Sequence, residues 1–77
     1  MKHFLDYVVR SLVDNPDDVQ ITEVAGESET VYRISLHPAD VGLIIGKGGR
    51  TISAIRSLIN PANKTGEHLA VEVVENP

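Results

Sequence analysis

Residues 41–59 run Val41-Gly42-Leu43-Ile44-Ile45-Gly46-Lys47-Gly48-Gly49-Arg50-Thr51-Ile52-Ser53-Ala54-Ile55-Arg56-Ser57-Leu58-Ile59. A short apolar segment leads into a glycine cluster holding one lysine, and a longer amphipathic segment follows. Gly46, Gly48 and Gly49 let the chain turn sharply and let another molecule approach the backbone closely. The cluster opens a helical pattern, so unpaired N–H groups and the positive end of a helix dipole face outward there. Lys47 and Arg50 add mobile positive charge. Together these features describe an anion site, with phosphate the expected anion.

The spacing excludes two familiar phosphate motifs. The nucleotide-binding P-loop needs four residues between its glycines, then Gly-Lys-Ser/Thr. Here Gly42 and Gly46 enclose three, and Gly48 stands where the metal-binding hydroxyl should be. The dinucleotide fingerprint needs a preceding strand and a third glycine, a position that falls on Thr51. A third motif fits. Ile44-Ile45-Gly46-Lys47-Gly48-Gly49-Arg50-Thr51-Ile52 resembles the KH-domain signature, Val/Ile-Ile-Gly-x-x-Gly-x-x-Ile. The resemblance makes Gly46–Gly49 the Gly-x-x-Gly loop, which in that fold clamps the backbone of about four nucleotides.

On the N-terminal side, Phe4, Leu5, Val8, Val9, Leu12 and Val13 form an apolar stripe that predicts a packing helix over 3–14. Asn15-Pro16 should stop it, because the residue before proline is pushed out of the helical region. Val19–Val24 reads as a strand, Ala25–Glu29 as a polar turn, and Thr30–Leu36 as a second strand in a hairpin. Alternation places Tyr32 with Ile34 and Leu36, so packing is its expected role rather than base stacking. His37-Pro38-Ala39-Asp40 opens a short helix that ends at Gly46. Pro38 suits its first position, and Asp40 lies in the first turn, where the dipole favours an anion. Gly42 allows either a close approach from outside or tight helix–sheet packing.

On the C-terminal side, Ile52, Ile55 and Ile59 predict the buried stripe of a helix from Gly49 or Arg50 to Asn60. Ala54 and Leu58 widen that stripe; extra core and a groove or subunit contact are both open readings. Pro61 should end or kink the helix. Ala62–Gly66 is a turn or loop. His68–Glu75 reads as a strand with Leu69, Val71 and Val73 inward, and Asn76-Pro77 as a fraying end.

The order is then helix, strand, strand, helix, loop, helix, strand. A helical crossover makes the last two strands parallel, and the hairpin makes the first two antiparallel. The expected fold is α+β: a three-stranded mixed sheet with Thr30–Leu36 central and three helices on one face. This α-β-β-α-α-β order resembles type II KH domains, so residues 1–77 are expected to form a single KH domain. A lone KH domain of this size is similar to the small bacterial RNA-binding KhpA (YlqC) family. The resemblance implies single-stranded RNA as partner, a role as RNA chaperone or post-transcriptional regulator (cell-shape regulation included), homodimerisation, and pairing with a KhpB (Jag/EloR-type) protein.

Composition bounds these expectations. A 77-residue chain without cysteine has no disulfide staples and no thiolate metal site. Its core is small, so regular packing or a partner subunit must support it. Neither a signal peptide nor a transmembrane-length run is visible, so a soluble cytoplasmic protein without membrane insertion is expected. The net charge of −4 argues against nonspecific polyanion binding. All eleven acids lie outside residues 41–66, however, while Lys47, Arg50, Arg56 and Lys64 lie within. Arg56 and Lys64 are expected to solvate a helix face.

The expected RNA site comprises Gly42, Ile45, Gly46, Lys47, Gly48, Gly49, Arg50 and Ile52. Loop amides near Lys47 and Gly48 would meet phosphates. Ile45 and Ile52 would floor a groove; plain core packing is the other reading, and both can hold at once because a groove floor is also the roof of the core. The edge of the central strand and neighbouring turns would form its other wall. An enzyme is not expected: His3, His37 and His68 are scattered without metal-ligand spacing, and no serine sits in a Gly-x-Ser-x-Gly elbow. No cofactor is expected. The alternative is a KH-fold protein-interaction or dimerisation module with little RNA binding.

Overall fold

The computed structural model describes residues 1–60 and 68–77. Helix α1 spans Lys2–Leu12, strand β1 Gln20–Ala25, β2 Glu29–Leu36, helix α2 Val41–Ile45, α3 Arg50–Ile59, and β3 His68–Glu75. Short 3-10 turns at Pro16–Asp18, Pro38–Asp40 and Lys47–Gly49 join them. The sheet order is β1-β2-β3, with β2 antiparallel to β1 and parallel to β3. This is the α+β arrangement expected of a type II KH domain, with β2 central. The behaviour of the chain at Pro61, and the position of Lys64, lie outside the described residues.

Register explains which sheet face is covered. Ile21, Ile34 and Val73 lie side by side, as do Glu23, Tyr32 and Val71. Thr30, Tyr32, Ile34 and Leu36 are all buried, so this face of β2 carries the core. Leu5 and Val9 of α1, Ile44 of α2, and Ile52, Ile55 and Ile59 of α3 pack onto it. Side chains at alternate positions, including Thr22, Arg33 and Glu72, occupy the other face. There Arg33 Nη2 lies 3.4 Å from Glu72 Oε2.

The structure narrows two helical stripes. On α1 only Leu5 and Val9 are buried, while Phe4 and Leu12 are exposed. Val8 and Val13 are half-buried and pack against the same core, so the stripe keeps part of its second row and loses Phe4 and Leu12 to solvent. The helix stops two residues earlier than its pattern suggests, with Val13 extended at φ −100°, ψ 160°. On α3, Ala54 and Leu58 are not extra core: both are exposed, Leu58 at 54%.

The C-terminal end does not fray at Asn76. Its N–H donates to the Leu36 carbonyl at 2.8 Å and its Nδ2 to the Asp18 carbonyl at 2.9 Å. It also bonds the Ser35 hydroxyl. A residue beyond the strand therefore ties β3 to β2 and to the turn before β1.

Candidate nucleic-acid interface

The glycine loop hangs between two helices that are both anchored in the core. Gly46 follows α2 at φ 75°, ψ 171°, a conformation open almost only to glycine. A Cβ there would lie 2.3 Å from Thr51 Oγ1 and 2.9 Å from Thr51 N, so Gly46 is pressed against the first turn of α3. Gly48 and Gly49 also have positive φ, at 65° and 78°, but a Cβ on either would meet nothing within 4 Å. Gly46 is thus required by packing and backbone together, Gly48 and Gly49 by backbone alone.

An account of the loop's amides shows what it can do. Gly46 N–H donates to the Gly42 carbonyl at 2.8 Å, and Gly49 N–H to the Gly46 carbonyl at 3.1 Å. Arg50 N–H donates to the Lys47 carbonyl. Among the described residues, the Lys47 and Gly48 amides are left as the loop's unbonded donors. Both residues are exposed. No side chain caps the N-terminus of α3. None of the ion pairs among the described residues involves Lys47, Arg50 or Arg56, and all three are exposed. The result is a concentration of donors and positive charge that no carboxylate among the described residues pairs with.

The structure places the remaining expected site residues as follows. Gly42 is exposed and a Cβ there would meet nothing within 4 Å, which removes tight packing as the reason for glycine. Ile45 is 39% exposed beside the loop, although its neighbour Ile44 is fully buried. Ile52 is only 7% exposed and belongs to the core cluster, so it can offer little surface to a ligand.

The second wall of the groove differs from expectation. The central strand β2 has no free edge, because β1 and β3 bond it on both sides. The free edge next to α3 belongs to β3. Between them runs a groove of ≈ 540 Å³, lined by Ser53, Arg56, Ser57 and Asn60 of the helix side and His68–Val71 of the strand. Asn60 Nδ2 donates to the Leu69 carbonyl at 2.5 Å, while Asn60 Oδ1 accepts from Leu69 N–H at 3.1 Å. Arg56 Nη2 reaches the Val71 carbonyl at 3.5 Å. Arg56 therefore leans into the groove instead of only solvating a face. Asn60 and Arg56 were invisible as groove residues from sequence, since their partners are backbone atoms of a distant strand.

Asp40 lies in the first turn after Pro38, as its position in the sequence implies, but its burial is not part of that reading. It is 1% exposed. Its Oδ1 accepts from Asp14 N–H at 3.2 Å, and its Oδ2 from Asn15 N–H at 3.0 Å and Asn15 Nδ2 at 3.1 Å. Burial alone would push its pKa up. The bonds from Asp14 and Asn15, with His37 nearby, outweigh that and hold it below the ordinary carboxylate value. Leu36 ends β2 and Ile44 lies in α2, so no helical period runs through position 40 and the sequence carries no signal that it is interior.

Among the described residues, no cluster of His, Asp and Glu could hold a metal ion, and no helix is long and apolar enough to cross a membrane. Similarity to known proteins points to one family. The family described as KhpA/KhpB, KH domain, matches residues 2–73. An RNA-binding protein KhpA of Chlamydia pneumoniae is 43% identical over 76 residues, covering 97% of each chain. One from Clostridium acetobutylicum is 41% identical over 75 residues, covering 96% of this chain and 100% of the relative. One from Mycobacterium leprae is 41% identical over 71 residues, covering 92% and 86% respectively. No solved structure gives a significant match. The family is one of KH proteins and not of enzymes. With the glycine loop, the strand order and nearly full-length identity in agreement, this chain belongs to the KhpA/KhpB KH-domain family.

Proposed function

We propose that this chain binds single-stranded RNA, gripping its backbone at Gly46–Gly49 and laying its bases toward the groove between α3 and β3. The observation that carries the reading is the pair of amides at Lys47 and Gly48, which no group among the described residues bonds, set in a run of positive-φ glycines and flanked by Lys47 and Arg50 side chains that form no ion pair among the described residues. Two adjacent N–H donors suit the oxygens of one phosphate. The open space over Gly42 and Gly48 gives the backbone room to approach. Ile45 supplies an apolar surface beside the loop, and Ile52 lies beneath it as core.

The edge of β3 supports a reading of base edges. Leu69 turns its N–H and carbonyl away from β2, and so does the Val71 carbonyl, since Asn60 and Arg56 bond them. The same alternation directs the Val71 N–H and both backbone groups of Val73 outward. Such groups pair with a base as readily as with another strand. The named relatives are RNA-binding proteins, which favours this reading over a module that only binds protein.

Lys47 and Arg50 are few charges for a strand, so one groove alone binds weakly. Two grooves on one RNA raise avidity by about 10²–10⁴ without new contacts. The exposed Ala54 and Leu58 face of α3 is the surface we assign to a homodimer, and a KhpB-type partner would use the same fold-level contact. The setting is the cytoplasm, and the role that of an RNA chaperone or post-transcriptional regulator.

The test is Lys47→Asp with Gly48→Asp, titrated against a short unstructured RNA by fluorescence anisotropy. Binding should fall by more than about tenfold, a loss of at least one charge-assisted contact. Aspartate at position 48 costs about 1–2 kcal/mol of stability because φ is positive there, so folding is checked by circular dichroism. Undiminished RNA affinity in the folded variant would remove the loop from the mechanism.

A further inference from the structure

We propose that Asp40 is a positioning residue for the glycine loop, fixing α2 so that the Lys47 and Gly48 amides point outward. This deepens the RNA-binding reading and rests on it for its functional consequence. Helix α2 has five residues, Val41–Ile45. Isolated helices shorter than about 12 residues are marginal, so α2 cannot hold its own geometry. It is held from outside, with Val41 half-buried against the core. Ile44 is fully buried in the core, and Asp40 joins the start of α2 to the exit of α1.

The bonding at Asp40 requires a carboxylate. Three N–H donors from Asp14 and Asn15 converge on two acceptor oxygens. An asparagine of the same shape has one oxygen. If that oxygen serves Asn15, the amide nitrogen faces the Asp14 N–H, donor against donor. If it serves Asp14, the nitrogen faces both Asn15 donors. Either arrangement pushes the start of α2 away from α1. The displacement passes directly to the loop, because Gly46 N–H is bonded back to the Gly42 carbonyl and Gly46 abuts Thr51. Asp40 touches none of the loop residues itself.

The experiment compares wild type, Asp40→Asn and Val9→Ala. Val9 is fully buried on α1, so its truncation lowers stability without touching Asp40's partners. Amide ¹H–¹⁵N spectra are recorded at a temperature where urea titration shows each protein fully folded, and affinity for a short unstructured RNA is measured there. Asp40→Asn should shift or broaden the Lys47 and Gly48 cross-peaks and weaken RNA binding about tenfold, the loss of one charge-assisted contact. Val9→Ala should leave both unchanged. Unmoved loop peaks in folded Asp40→Asn, or equal changes in Val9→Ala, would overturn the proposal. Should Asp40→Asn not fold, Asn15→Ala removes one of the same bonds and must move the same peaks. If wild type itself binds no RNA, the functional reading fails while the loop peaks still report on positioning.

Discussion

An alanine at Gly46 would put its Cβ 2.3 Å from Thr51 Oγ1, whereas one at Gly48 would sit in open space. The two glycines also differ in backbone: Gly46 has ψ 171°, while Gly48 lies in the left-handed helical region at φ 65°, ψ 18°. Gly48→Ala should therefore cost about 1–2 kcal/mol, the left-handed penalty alone. Gly46→Ala should cost more, because its conformation carries about 1–3 kcal/mol of strain and the contact with α3 adds to it. For a chain of this size each kcal/mol lowers the melting point by about 4–8 °C, so thermal melts resolve the difference. Equal melting points would show that the contact with Thr51 is not limiting. At this scale the glycines were legible from sequence, because positive φ at three clustered positions has few other solutions. Asp40 was less so. An acid in a first helical turn ordinarily meets solvent, and its partners lie 25 and 26 residues away.

Helix α3 has three faces, and each meets a different environment. Ile52, Ile55 and Ile59 fill the core, and Ser53 and Arg56 line the groove, with Asn60 following at the C-cap. Ala54 and Leu58 stand exposed between them. The spacing of the isoleucines identified the first face, since a 3.6-residue period has one buried side. It could not identify the second, whose bonds reach the backbone of β3. Nor could it separate the third from the core, because apolar residues look alike in either place. The same limit applies to α1, where six apolar positions predicted a full stripe: Leu5 and Val9 are buried, Val8 and Val13 half-buried against the core, and Phe4 and Leu12 exposed. If Leu58 is a subunit contact, Leu58→Arg should halve the mass measured by light scattering at concentrations where wild type dimerises. It should also weaken binding to long RNA more than to a four-nucleotide site. An unchanged mass, or equal losses on both RNAs, would reject α3 as the dimer face.

The whole molecule is acidic, with a net charge of −4, yet its loop side carries Lys47, Arg50 and Arg56 without a carboxylate among residues 41–66. Segregated charge of this kind steers a polyanion to one side and repels it from the rest. Sheet topology was also legible, since a hairpin and a helical crossover leave little freedom of strand order. The groove wall was misread because a central strand has no edge to offer; the free edge beside α3 is that of β3. The most direct test of the account is amide chemical-shift mapping during titration with a four-nucleotide single-stranded RNA. The account predicts the largest shifts at Lys47 and Gly48, continuing along α3 and Leu69–Val73. Shifts confined to α1, or to the open sheet face around Arg33 and Glu72, would contradict it.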